Sequence, residues 1–124
     1  MSRALTTPVP SMVAGVDTHT DTHALAILTA QGGIVFTGVF AADEHGYANL
    51  INRINDTGNV GTVGVEGTNS YGAGLTRALK AAGYEVKEVL RPTRQVRRLQ
   101  GKSDALDAVE AARTVLSNHG IAIA

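Results

Sequence analysis

The strongest constraint on the fold is a change of rhythm along the chain. Three short apolar runs, residues 12–16, 24–28 and 34–40, come first, with only turn-length gaps between them. Gln31-Gly32-Gly33 in the second gap is a hairpin signal, so the three runs read as an antiparallel meander. From residue 47 onward, helical and strand patterns alternate. Tyr47, Leu50, Ile51 and Ile54 recur at helical spacing, and Gly58 closes that stretch. Val60, Val63 and Val65 form a strand that ends at Glu66. Tyr71, Leu75, Ala78, Leu79 and Ala82 make a second helical stripe, with Gly83 as its stop. Residues 84–89 read as a fifth strand, and Pro92 suits the first turn of a short basic helix over 92–99. Ser103 is a good N-cap for a last helix, whose stripe is Leu106, Val109, Ala112 and Leu116 and which fades near 118–120. The order is βββαβαβα. Strands alternating with helices require parallel, right-handed crossovers. The expectation is an α/β fold: a mixed five-stranded sheet, the meander plus two parallel strands, with helices on both faces.

A chain of 124 residues has the length of one domain, and 44% apolar content supports a core. Residues 1–11, with two prolines and no periodicity, read as a flexible arm; 12–118 form the domain; 119–124 read as a frayed end. The absence of cysteine excludes disulfides and thiolate metal sites and fits a cytoplasmic setting. No apolar run approaches the roughly 18 residues of a membrane span, and residues 1–11 lack the uninterrupted apolar core expected of a signal peptide. Net charge is zero but uneven: residues 1–86 hold four bases against seven acids, and residues 87–124 hold seven bases against four acids. Six of those seven bases lie between Lys87 and Lys102.

The chemistry is expected from acids. In Lys102-Ser103-Asp104-Ala105-Leu106-Asp107, two carboxylates stand at i and i+3 in the first turn of a helix, on one face. Like charges that close call for a cation between them, and a divalent metal serves far better than a helix terminus. Asp17 ends the first strand and Glu66 the fourth. If those strands are adjacent and parallel, the two acids are neighbours at the carboxyl edge, where α/β sheets collect functional groups. Asp17, Glu66, Asp104 and Asp107 would then converge on Mg²⁺ or Mn²⁺, since oxygen-only donors favour hard ions. Two such ions suit in-line displacement at a phosphodiester. Each acid alone also has a structural reading, as a turn former or a helix-dipole partner. Their joint occurrence favours the metal site.

Gly15-Val16-Asp17, then Val65-Glu66-Gly67-Thr68-Asn69-Ser70-Tyr71-Gly72, then Lys102-Ser103-Asp104-Ala105-Leu106-Asp107-Ala108, resemble the successive acidic motifs of the DEDD transposases. These are recombinases of insertion sequences guided by a bridge RNA. The resemblance covers about residues 12–117, and its specific part is the pairing of Glu-Gly-Thr with Lys-Ser-Asp-x-x-Asp. It implies a ribonuclease-H-like domain of the RuvC type, with Asp17, Glu66, Asp104 and Asp107 as catalytic, metal-binding acids. It further implies DNA and bridge RNA as partners, and a homo-oligomer for the full-length protein. Family members continue into a helical linker and a second domain with a nucleophilic serine. By that likeness this chain corresponds to the N-terminal half, and full recombination needs the other half. No serine here takes the nucleophile's place: Ser103 reads as a cap and Ser70 as a loop residue.

Three further features are weighed. Arg91, Arg94, Arg97, Arg98 and Lys102 precede the last acids and would contact nucleic-acid phosphates rather than read bases. His19, Asp21 and His23 alternate around the first turn, as a second metal site or as a solvated turn in which His19 or Asp21 touches the acids. Gly15 and Gly64 lie inside strands, where they allow close backbone approach. Two rival readings stand beside the recombinase. Gly-Val-Asp-Thr-His-Thr also resembles the phosphate loop of actin-like kinases, which ATP binding would reveal. A nucleic-acid-binding and dimerisation module with idle acids is the other.

Overall fold

The computed structural model describes residues 12–90, 104–117 and 121–123. The expected arm at 1–11, the basic helix over 92–99, the Ser103 cap and all five of Arg91, Arg94, Arg97, Arg98 and Lys102 lie outside the described residues. Six strands form one sheet: β1 (Met12–Thr18), β2 (Thr22–Thr29), β3 (Ile34–Ala41), β4 (Val60–Val65), β5 (Glu85–Val89) and β6 (Ile121–Ile123). The helices are α1 (Glu44–Thr57), α2 (Ala73–Ala81) and α3 (Asp104–Ser117). The spatial order is β3-β2-β1-β4-β5-β6. β1, β2 and β3 pair antiparallel, as the meander requires, and β4 and β5 join in parallel. Residues 121–123, expected to fray, instead pair antiparallel with β5. Three residues are too few to show a period, but the outer edge of β5 offers them unpaired backbone groups. Among the described residues, no helix is long and apolar enough to cross a membrane.

Local chemistry sets the turns. At the second hairpin, between β2 and β3, the Thr29 N–H donates to the Gly33 carbonyl at 2.8 Å, and Gly32 takes a φ of 94° that favours glycine. Asp43, which periodicity did not single out, caps α1 by accepting from the Gly46 N–H at 2.8 Å.

Side-chain alternation divides the core between the two faces of the sheet. On one face Ala14, Val16, Leu25, Ile27, Val63 and Val65 pack under Leu50 and Ile54 of α1 and Leu75 and Leu79 of α2. On the other, Ala24, Ala26 and Leu28 meet Ala108, Val109 and Ala112 of α3. Three positions of the expected stripes are instead exposed: Leu106 in α3, Tyr71, which precedes α2, and Ala82, just past its end. The reason for Leu106 lies in the sheet. Gly15 and Gly64 are register partners on β1 and β4. A Cβ on Gly15 would stand 2.2 Å from the Ala112 nitrogen and 2.5 Å from the Ala108 carbonyl oxygen. A Cβ on Gly64 would stand 2.5 Å from Val115 Cγ2. The helix therefore rests on bare backbone at these two glycines, with Ala108 and Ala112 over Gly15 and Val115 over Gly64.

Candidate metal centre at the ends of two parallel strands

The parallel register pairs Gly15 with Gly64 and Val16 with Val65. One step further, Asp17 stands beside Glu66, and the Glu66 N–H continues the ladder by donating to the Val16 carbonyl at 3.3 Å. Strand spacing puts the two Cα atoms about 5 Å apart. Ala14, Val16, Val63 and Val65 face α1 and α2, so alternation turns Asp17 and Glu66 to the face covered by α3. Asp17 is 0% exposed and Glu66 6%. Two carboxylates side by side with so little water repel each other and favour a cation.

His19 borders this pair. Its Nε2 lies 2.7 Å from Asp17 Oδ2, and against a carboxylate that nitrogen must be the donor. The other side of the ring reaches solvent, since the side chain is 41% exposed.

α3 approaches from above. Asp107, half-buried, directly precedes Ala108, whose carbonyl rests on Gly15. Gly15 is two residues before Asp17 on the same strand face. Asp104 opens the same helix, and its side chain lies outside the described residues. Thus Asp17 and Glu66 are brought together as neighbours, and α3 begins next to their strand. Among the described residues no group of three or more His, Cys, Asp or Glu is close enough to hold a metal ion. The buried pair itself suits a divalent cation, and its oxygen donors select a hard ion such as Mg²⁺ or Mn²⁺.

The alternative site at His19, Asp21 and His23 does not assemble. His23 sits on the opposite face of the sheet, fully buried and stacked on Tyr47 of α1 at 5.8 Å between ring centroids. Its Nδ1 donates to the Thr22 carbonyl at 3.0 Å, and its Nε2 has no hydrogen-bond partner among the described residues. Asp21 is exposed. Alternation was read across the turn, but β1 ends at Thr18, so His19 and His23 do not share a strand. Burial pushes the His23 pKa below its ordinary 6.5; the bond to Thr22 opposes this and nearby His19 adds to it. The unfolded chain therefore takes up this proton more readily than the folded one, and stability falls as pH drops below about 6.5. Urea unfolding at pH 7.5 and 5.5 should show a lower midpoint at the acidic pH. His23→Phe, which keeps a ring against Tyr47, should reduce that difference.

One acid at this edge of the sheet was not singled out from the sequence. Glu88 lies near the carboxyl end of β5, in register with Val65. Its Oε2 accepts from the Gly67 N–H at 3.1 Å, and its Oε1 accepts from the Thr68 N–H at 3.0 Å and from the Thr68 hydroxyl. The signal available was an acid in a strand between two core valines, Val86 two residues before it and Val89 directly after it.

A mixed sheet of this order with helices on both faces is a RuvC-like fold. A structure of Thermus thermophilus RuvC in complex with a Holliday junction substrate matches with a TM-score of 0.63 at 14% identity, covering 91% of this chain and 99% of that one. A second Thermus thermophilus RuvC structure gives 0.62 at 15% identity, with the same coverage. The sequence itself goes further: residues 14–122 match the model of the IS110-type DEDD transposases, and the chain belongs to that transposase family. No curated protein matches it.

Proposed function

We propose that this domain performs divalent-metal-dependent DNA strand cleavage and transfer, with Asp17, Glu66, Asp104 and Asp107 as the metal-binding acids. The observation that carries the proposal is the buried pair Asp17 and Glu66 on adjacent parallel strand ends, in a chain of the transposase family. When bound, Mg²⁺ or Mn²⁺ supplies Lewis-acid stabilisation of the charge that develops on the phosphodiester oxygens. The chain supplies the rest. Asp17 and Glu66 form the fixed floor of the site, and His19 holds one Asp17 oxygen. Asp104 and Asp107 complete the acid set from the start of α3. Arg91, Arg94, Arg97, Arg98 and Lys102 hold the nucleic-acid backbone, in which arginine forks suit phosphate. In the same reading a bridge RNA guides the full-length protein, which acts as a homo-oligomer and takes its serine nucleophile from a second domain. The similar RuvC bound to a Holliday junction supports a DNA substrate.

Nicking of supercoiled plasmid in Mn²⁺, with direct Mn²⁺ titration alongside, tests the proposal. The wild-type chain should bind Mn²⁺ and nick with water as the nucleophile in place of the serine, and EDTA should stop it. Asp104→Ala should lower the rate at least about a hundredfold. A wild-type chain that binds plasmid and never nicks at any Mn²⁺ concentration is a nucleic-acid-binding and dimerisation module instead.

A further inference from the structure

We infer that Glu88 is a positioning residue that fixes where the Glu66 carboxylate stands. The inference rests on the metal-centre reading above. It comes from the peptide unit that joins Glu66 to Gly67. That unit has two polar ends. Its carbonyl, on Glu66, accepts from the Thr18 hydroxyl at 2.9 Å. Its N–H, on Gly67, donates to Glu88 Oε2 at 3.1 Å. One peptide plane is thus gripped at both ends, by side chains from two different strands. The next N–H, of Thr68, goes to the other Glu88 oxygen at 3.0 Å. On the near side, the Glu66 N–H is held by Val16 at 3.3 Å. Every backbone rotation that could swing the Glu66 side chain is therefore restrained.

The clamp is needed because of what surrounds it. Beside Glu66 stands Asp17, a like charge that pushes it away. Beyond Glu66 the chain turns sharply, with Gly67 at a φ of 65°. A strand end that must turn and also hold an acid against repulsion needs a strong acceptor for its amides. A carboxylate is such an acceptor, since its hydrogen bonds are about twice as strong as neutral ones. Glu88 is not itself a ligand of the proposed site. It stands two residues after Val86 on the same strand, so it lies on the α1 and α2 face, opposite Asp17 and Glu66, and both its oxygens are occupied by the loop.

The test compares Glu88→Ala, Glu88→Gln and Glu88→Asp in the chain as it stands. Two quantities are read: amide hydrogen exchange at Gly67 and Thr68, and the Mn²⁺ concentration that half-broadens the Asp17 and Glu66 amide resonances in NMR spectra. Outer partners of metal ligands typically change metal affinity by about 10–100-fold, so Glu88→Ala should raise that concentration at least about tenfold. It should also speed exchange at both amides. Glu88→Gln keeps an acceptor for Thr68 but sets an amide NH₂ against the Gly67 N–H, so it should fall between wild type and Glu88→Ala. It also keeps the test readable if Glu88→Ala does not fold. Glu88→Asp retains the charge without the reach and should not rescue, which separates geometry from charge. Variants that bind Mn²⁺ like the wild type overturn the clamp. A wild-type chain that shows no broadening at Asp17 and Glu66 overturns the metal-centre reading, and the clamp with it.

Discussion

Asp17→Asn is expected to abolish metal-dependent nicking, lowering the rate at least about 10²–10³-fold, while the metal-free fold stays as stable as the wild type or becomes more so. The two effects have one cause. Asp17 is wholly buried beside Glu66, so its charge is a liability to the empty fold and an asset only with a cation present. The amide is isosteric, and its oxygen can still accept from His19 Nε2, which lies 2.7 Å from Asp17 Oδ2 in the wild type. Thermal unfolding with and without Mn²⁺ reads the stability side. The metal should raise the wild-type midpoint by mass action and leave the variant's unchanged. Nicking that persists in Asp17→Asn sinks the site assignment.

Gly15→Ala should be among the most damaging single methyl groups in the described fold. The new Cβ would meet the Ala112 nitrogen at 2.2 Å and the Ala108 carbonyl oxygen at 2.5 Å, and both are helix backbone. Backbone cannot rotate aside, so α3 must lift from the sheet. We expect a loss of about 3 kcal/mol or more, at the upper end for overpacking. Gly64→Ala provides the contrast. Its Cβ meets Val115 Cγ2 at 2.5 Å and Val89 Cγ2 at 2.6 Å, side-chain atoms that a rotamer change can move. That variant should lose about 1–2 kcal/mol. Urea unfolding of the two variants measures the difference, and equal losses would contradict the close approach of α3. Where Gly15→Ala still folds, Mn²⁺ binding should weaken as well, because lifting α3 carries Asp107 away from β1.

Legibility in the sequence followed the range of the interaction. The strands and helices were readable because their patterns are local: short apolar runs marked β1 to β3, and the spacing of Leu50, Ile54, Leu75 and Leu79 marked the core faces of α1 and α2. The acids at strand ends were readable for the same reason, and so were Gly15 and Gly64 as residues that admit close backbone. Leu106 was misread as core because hydrophobicity does not reveal how near a helix lies. Tyr71 was misread because it continued a helical spacing two residues before the helix begins. His23 and His19 were grouped although they lie on different sides of the sheet.

What the amino-acid order determined by itself is the list of elements, their order and which acid ends which strand. Only the tertiary structure decided that β4 lies against β1, so that Asp17 and Glu66, far apart along the chain, become neighbours. It alone also decided that Glu88, on β5, grips the peptide after Glu66. The physical reason is that backbone hydrogen bonding between parallel strands is the same for any pair of side chains. Strand neighbours are chosen by burial over the whole sheet, here by a helix that needs two glycines side by side, and no local stretch of sequence carries that choice.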